Sequence, residues 1–285
     1  MKKIMFFVAA LLLSTIMFSC KKDDKKTDPQ NPAEEEEVYP EIGARNCILL
    51  EEFTGQDCGN CPRAIKAIRE TIESMPEGNR VAWVAHHSGY LDDDFTLAGD
   101  LTIASKFGVN YAPAGILERT KTKLADGNNS YDHIADYFAD ADLFNEYLAV
   151  PAEASMNLKV KLSADNQLTV TVLGKCNPEE AYITVLLCQN GIKARQASGG
   201  ASYVHNEVVR AYLTPAAGEQ LSIDGEKKYK FTTTYQIPES ISNKKGTKSF
   251  ATDIPNMYVV AFVAGKLASK GAVYNTDMVY LNTLQ

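Results

Sequence analysis

The sequence predicts an α/β layer over residues 44–150 followed by an all-β antiparallel sandwich over residues 151–285, the pair preceded by an export leader and a polar tether. Three observations carry this. Short apolar runs at Cys47-Ile48-Leu49-Leu50 and Val81-Ala82-Trp83-Val84-Ala85 have the makings of strands covered on both faces, and helix-spaced apolar residues separate them. From Val150-Pro151 onward the apolar positions alternate with period two between short turn signals. The only long apolar run, Ile4 to Phe18, stands at the extreme N-terminus.

Lys2 and Lys3, that apolar stretch and the small residue Ser19 read as the charged region, apolar region and cleavage site of a signal peptide over residues 1–19. Because Cys20 follows, the segment resembles a bacterial lipoprotein signal. The resemblance implies that Cys20 is acylated and becomes the first residue of the mature chain. Each buried CH₂ contributes about 0.8 kcal/mol, so several acyl chains on Cys20 hold the protein to a membrane without a spanning helix. Residues 20–43 are a disordered tether: Lys21 to Pro40 is polar, proline-containing and carries a run of glutamates. Fully extended, it reaches at most about 70 Å. Lys21-Lys22-Asp23-Asp24 looks like the export signal of surface-exposed lipoproteins in the Bacteroidetes.

Within the α/β layer, Ala64, Ile65, Ile68, Ile72 and Met75 recur at helical spacing, and Tyr131 to Leu148 does the same behind Asn128, Asn129 and Ser130 as caps. Cys58-Gly59-Asn60-Cys61 follows the first strand and opens the first helix. At that place a dithiol closes a small ring, and the first sulfur meets unpaired backbone N–H groups and the positive end of the helix dipole. The thiolate is favoured there, so Cys58 is the expected attacking sulfur and Cys61 the resolving one. Pro62 suits the first helical turn. His86 and His87 end the second strand, at the same sheet edge, and supply a weaker alternative: copper or zinc held by Cys58, Cys61 and one of the two histidines. No other metal site and no cofactor are expected.

In the second half, strands are predicted near 155–162, 167–176, 181–189, 202–213, 228–237, 257–266 and 271–281, which suggests an immunoglobulin-like sandwich. Were 167–176 and 181–189 a simple hairpin, Cys176 and Cys188 would stand several residues apart at about 3.3 Å each, beyond bridging distance. Both are expected as buried free thiols, as is Cys47.

Composition narrows the function. With 29 Lys+Arg against 36 Asp+Glu, and a sequence pI near 5.2, no positive field draws the chain to phosphate backbones, so nucleic acid is not an expected partner. The hydrophobic fraction of 45% excludes disorder along most of the chain.

At Glu52, at Cys58 and Cys61, and at Phe107-Gly108-Val109-Asn110-Tyr111-Ala112-Pro113, the chain resembles the thioredoxin fold over about residues 44–150. The resemblance implies that Glu52 is the buried acid that passes a proton to and from the resolving cysteine, and that Pro113 is a cis-proline facing the dithiol. A buried carboxyl has a raised pKa and serves as a general base near neutrality. One departure matters: Asp57 precedes Cys58 where thioredoxins usually carry Trp. A carboxylate pointed inward there would raise the thiol pKa.

Together with Leu49-Leu50-Glu51-Glu52-Phe53-Thr54-Gly55, His86-His87-Ser88 and Tyr203-Val204-His205-Asn206-Glu207-Val208-Val209-Arg210, these motifs resemble the Bacteroidetes outer-membrane lipoprotein family Omp28. The resemblance implies an outer-membrane, lipid-anchored location. Three functions stay open: a thiol–disulfide oxidoreductase or isomerase acting on exported protein thiols and disulfides; a non-catalytic surface adhesin or assembly module with a protein partner; and metal binding. His205, Asn206 and Arg210 are read as a structural strand-and-turn motif.

Overall fold

The computed structural model describes residues 37–123 and 127–284. The signal peptide, Cys20 and the tether up to residue 36 lie outside the described residues.

β1 (Ile48–Thr54) leads to α1 (Cys61–Ser74), β2 (Val81–His87), α2 (Ala98–Phe107) and β3 (Ala114–Leu117). Three small strands follow, β4 (Thr122–Lys123), β5 (Asn129–Ser130) and β6 (Asp132–Ile134), then α3 (Ala141–Ala149). The second half contributes β7 (Asn157–Leu162), β8 (Gln167–Lys175), β9 (Tyr182–Gln189), β10 (Ile192–Gln196), β11 (Gly200–His205), β12 (Val208–Tyr212) and β13 (Glu219–Gln220). It ends with β14 (Lys228–Gln236), β15 (Ser240–Ser242), β16 (Ser249–Ala251), β17 (Met257–Ala264) and β18 (Val273–Tyr280).

Each helix has a local reason to start or stop. Pro62 fills the first turn of α1, where its missing N–H costs nothing, and Ala64 and Ile68 face inward. At α2 the Leu97 N–H donates to Asp100 Oδ2 (2.9 Å), and Gly108 closes the helix at φ 79°, a conformation glycine adopts without penalty. α3 begins where the Asp140 carboxylate accepts from the N–H groups of Asp142 and Leu143. The helix expected over residues 131–148 is therefore only its second half. Asp132–Ile134 instead pairs with β3, and Ala135–Phe138 is a single 3₁₀ turn. A sheet edge overrides helical periodicity there.

The large sheet runs β18-β17-β9-β12-β2-β1-β3-β6, with β13 also on β9. β1 and β2 are parallel, the arrangement that needs a helical crossover, and α1 supplies it. Ile48 and Leu50 face Ala64, Ile68, Trp83 and Phe144 on one side of this sheet. Phe53 faces Ile103, Ala104 and Phe107 of α2 on the other. In the second half a three-stranded sheet, β14-β8-β7, packs Val160, Leu168, Val170, Val172 and Tyr229 against Ile183, Val185, Leu187, Val259 and Ala261 of β9 and β17. Two sheets do stack face to face there.

The chain before and after residue 150 meets in the large sheet. β12 lies beside β2 through the pair Val208–Ala85, and the Ala85 N–H donates to Glu207 O (2.7 Å). The two halves thus share one mixed sheet, and residues 37–285 group as one unit. Sequence period reports how a strand is covered, whereas this junction is a pairing across more than a hundred residues, which no local pattern encodes. The predicted strand 202–213 is also two strands. Glu207, at φ 56°, turns the chain out of the β10–β11 hairpin and into the large sheet.

Candidate functional site

The Cys58 and Cys61 sulfurs are joined in a disulfide, with Cα atoms 5.5 Å apart. Cys61 is the first residue of α1, and its backbone N–H donates to Cys58 Sγ (3.1 Å). This is one of the orphan donors at a helix start, so a thiolate on Cys58 would meet a hydrogen bond and the positive helix end together. The Cys58 N–H donates to Gly55 O (3.0 Å), which fixes the approach loop. Both cysteines are buried: Cys58 is 4% exposed and Cys61 0%.

Glu52 is 1% exposed and follows Ile48 and Leu50 in the alternation that faces α1. Its Oε2 accepts from Trp83 Nε1 (3.1 Å), while Oε1 has no hydrogen-bond partner among the described residues. Burial pushes its pKa up to about 8, and the charge of Glu207 adds to the rise. Glu207 is itself buried, with its pKa raised by burial, and forms a two-pronged ion pair with Arg69 (3.0 and 2.7 Å). Arg69 in turn lies 5.1 Å over the Trp83 ring. Pro113 follows a cis peptide bond from Ala112, directly before β3, which pairs with β1 at Glu52–Gly115.

Glu51 projects to the opposite face. Arg119 grips it with both nitrogens (2.8 and 2.7 Å), and His86 lies between Glu51 (3.3 Å) and Asp100 (3.0 Å). The Tyr212 hydroxyl donates to Asp100 Oδ1 (2.8 Å). Burial alone would raise the Glu51 pKa, but the Arg119 charge and hydrogen bonds bring it down to about 2. For His86, burial alone would favour the neutral ring, yet the two carboxylates lift its pKa to about 9. His86 is thus a structural cation, turned away from the dithiol. His87 contacts Asp93 (2.6 Å). Burial would raise the Asp93 pKa, and the interaction with His87 lowers it to about 2. Each histidine is committed to carboxylates, and no cluster of three or more His, Cys, Asp or Glu side chains among the described residues is arranged to hold a metal ion. The structure does not bring either histidine together with the cysteine pair as a ligand set.

The most consequential residues near the dithiol come from the second half. The β10–β11 hairpin reaches back over the loop that carries Cys58. Gln196 Nε2 donates to the carbonyls of both Gly55 (3.0 Å) and Cys58 (2.9 Å), and the Ala197 N–H donates to Gln56 O (2.7 Å). Gln56 Nε2 returns a bond to Arg195 O (3.0 Å). Asp57 points outward to Arg195 (2.7 Å) rather than toward the sulfur. Its carboxylate is therefore answered by a cation at the surface. Gly59 sits so close to the hairpin tip that a Cβ there would lie 3.2 Å from Ser198 Oγ. No sequence signal exposes these contacts: β10 falls between the predicted strands 181–189 and 202–213, and its partners in the dithiol loop lie more than a hundred positions away.

His205, Asn206 and Arg210 are structural. Asn206 Oδ1 accepts from the Gly191 N–H (2.8 Å), and Arg210 donates to Gln189, Ile241 and Phe250 oxygens (3.0–3.1 Å). His205 packs on Phe95 and Tyr203, and burial holds its pKa down to about 4. Cys47, Cys176 and Cys188 are buried free thiols. The expected hairpin that kept the last two apart does not exist, since β8 pairs with β7 and β14 while β9 pairs with β12, β13 and β17. They are separated because they belong to different sheets.

No curated protein matches the chain. Among solved structures, HBP35 of Porphyromonas gingivalis superposes with a TM-score of 0.65 at 20% identity, covering 86% of this chain and 78% of that one. The fold is shared. A domain of the outer membrane lipoprotein Omp28 from Porphyromonas gingivalis aligns at 17% identity with a TM-score of 0.31, over 46% of this chain and 89% of that domain. No helix among the described residues is long and apolar enough to cross a membrane. The family model for outer membrane protein Omp28 matches residues 101–285, so the chain belongs to the Omp28 family of outer membrane proteins.

Proposed function

We propose that the region around β1, α1, β2 and β3 is thioredoxin-like and that Cys58–Cys61 exchanges disulfides with exported protein thiols at the outer membrane. The observation that carries this reading is the Cys61 N–H on Cys58 Sγ at the start of α1, above a sheet face that holds a neutral buried acid. A partner thiolate attacks Cys58 Sγ and forms the mixed disulfide; the Cys58–Cys61 bond breaks, and Cys61 leaves with the electron pair. Glu52, with a pKa near 8, is protonated at neutral pH and supplies the proton that Cys61 takes. A second partner thiol then attacks the partner's own sulfur. The partner gains a disulfide, and Cys58 departs as a thiolate held by the Cys61 N–H. The protein's disulfide is thereby reduced and the partner dithiol oxidised; the same steps in reverse make it a reductant or isomerase.

The test is turnover of scrambled ribonuclease or of insulin disulfides by the soluble body from residue 41, with Cys58→Ser beside it. The reading requires activity that the substitution abolishes; activity that survives it removes the dithiol from the mechanism. One observation favours a second reading, a binding or assembly module in which the bridge only staples a loop: Cys58 is 4% exposed. Absence of turnover by wild-type protein selects that reading.

A further inference from the structure

A disulfide that trades with partners must be reachable by an attacking sulfur, in line with the bond it breaks. Here both cysteines are buried, and the loop that carries Cys58 is gripped by a hairpin from the second half of the chain. The β10–β11 hairpin forms a two-stranded sheet of its own, its base packed through Ile192 on Phe95 and Val208, and no strand of the large sheet pairs with its tip. What fixes the tip is the dithiol loop: Gln196 on two of its carbonyls, Ala197 on Gln56, Arg195 on Asp57, and Ser198 against Gly59. Gln196 is 4% exposed, so its carboxamide is a buried clasp rather than a surface decoration. One side of the hairpin faces water, with Gly200, Ala201, Ser202 and Val204 exposed, while Ile192 and His205 are buried.

We propose that Gln196 and the hairpin tip from Arg195 to Gly199 determine access to Cys58–Cys61. With the clasp closed, thiols do not reach Cys58. Exchange proceeds through the fraction of molecules in which the tip has lifted, and a partner that engages the exposed hairpin raises that fraction. Gln196 is a positioning residue: it touches the loop, not the sulfur. This inference rests on the exchange proposed above for its biological meaning, but access itself is measurable without a protein substrate.

The experiment follows the reduction of the oxidised full-length protein by dithiothreitol, quenched with a maleimide and read as the mass gain of two adducts. Four proteins are compared: wild type, Gln196→Ala, Arg195→Ala, and Lys193→Ala, whose side chain lies on the same hairpin and is exposed. Losing the two buried hydrogen bonds of Gln196 is expected to speed reduction about tenfold, and losing the surface ion pair about twofold, with Lys193→Ala at the wild-type rate. Far-ultraviolet circular dichroism identifies any variant that has not folded. Should Gln196→Ala not fold, Arg195→Ala decides, since it alters only an exposed pair. Reduction of the folded clasp variants at the wild-type rate overturns the proposal. Faster reduction with no insulin turnover in any protein keeps the clasp and removes the exchange function; turnover with unchanged reduction rates does the reverse.

Discussion

Glu51 and Glu52 are the same residue type, adjacent in one strand and no more than 1% exposed, yet they sit in opposite electrostatic worlds. Glu51 faces Arg119, His86 and Asp100, and its charge is fully answered. Glu52 faces α1, Trp83 and the charge of Glu207, with one oxygen unpartnered among the described residues. Burial is common to both. What differs is compensation, which makes the first a structural anion and the second a neutral acid with a movable proton. A one-residue step along a strand reverses the face, so the two roles coexist without interfering.

The contrast is broken most forcefully at Glu51. Glu51→Gln leaves Arg119 and His86 buried without their partner and is expected to cost about 3–5 kcal/mol in urea unfolding at pH 5, while Glu52→Gln stays within about 1 kcal/mol of wild type at that pH. Equal losses would erase the distinction.

The pH dependence sharpens it. Glu52 has a folded pKa raised to about 8, so its neutral form contributes stability that is present below the carboxyl's ordinary range and lost as pH rises through 8. His86, raised to about 9, acts in the same direction: its contribution is complete below pH 6.5 and lost through 9. Glu51, lowered to about 2, contributes above pH 4.5 and loses only in strong acid. Stability should therefore decline from about pH 4.5 to 9, the Glu52 share falling between about 4.5 and 8 and the His86 share between about 6.5 and 9. Glu52→Gln should recover about 4–5 kcal/mol of that decline at pH 9 and less than about 1 kcal/mol at pH 5, measured by urea midpoints.

Two smaller effects follow on the dithiol side. Reducing Cys58–Cys61 opens only a short loop, so thermal unfolding with and without reductant should differ by about 2 kcal/mol. Asp57→Asn removes a partly exposed pair with Arg195 and should change stability by less than about 1 kcal/mol.

Of this contrast the sequence singles out Glu52 alone, and the Glu51 side is hidden for physical reasons. Cys58, Cys61, Glu52 and Pro113 lie in one contiguous half, where strand, loop and helix signals are local. Strands such as Lys228–Gln236 and Met257–Ala264 announce themselves by period and apolar content. The junction of β12 with β2, the Arg69–Glu207 pair and the Gln196 clasp are invisible for a common reason: each joins residues more than a hundred positions apart, and the residues involved carry no local pattern. Glu207 lay inside a motif that the sequence singled out, but nothing there assigned it to the neighbourhood of Glu52. His86 shows the converse. Its position at a strand end suggested a ligand, and its burial between two carboxylates makes it a structural cation.

The most direct test compares wild type with Glu52→Gln in the single-turnover opening of Cys58–Cys61 by a protein dithiol, from pH 6 to pH 9.5. Loss of the proton donor should slow opening about a hundredfold below pH 8, with the gap closing above pH 8 as wild-type Glu52 ionises. Equal rates at every pH, or a gap that does not change with pH, would contradict the assignment of Glu52 as the acid that serves the dithiol.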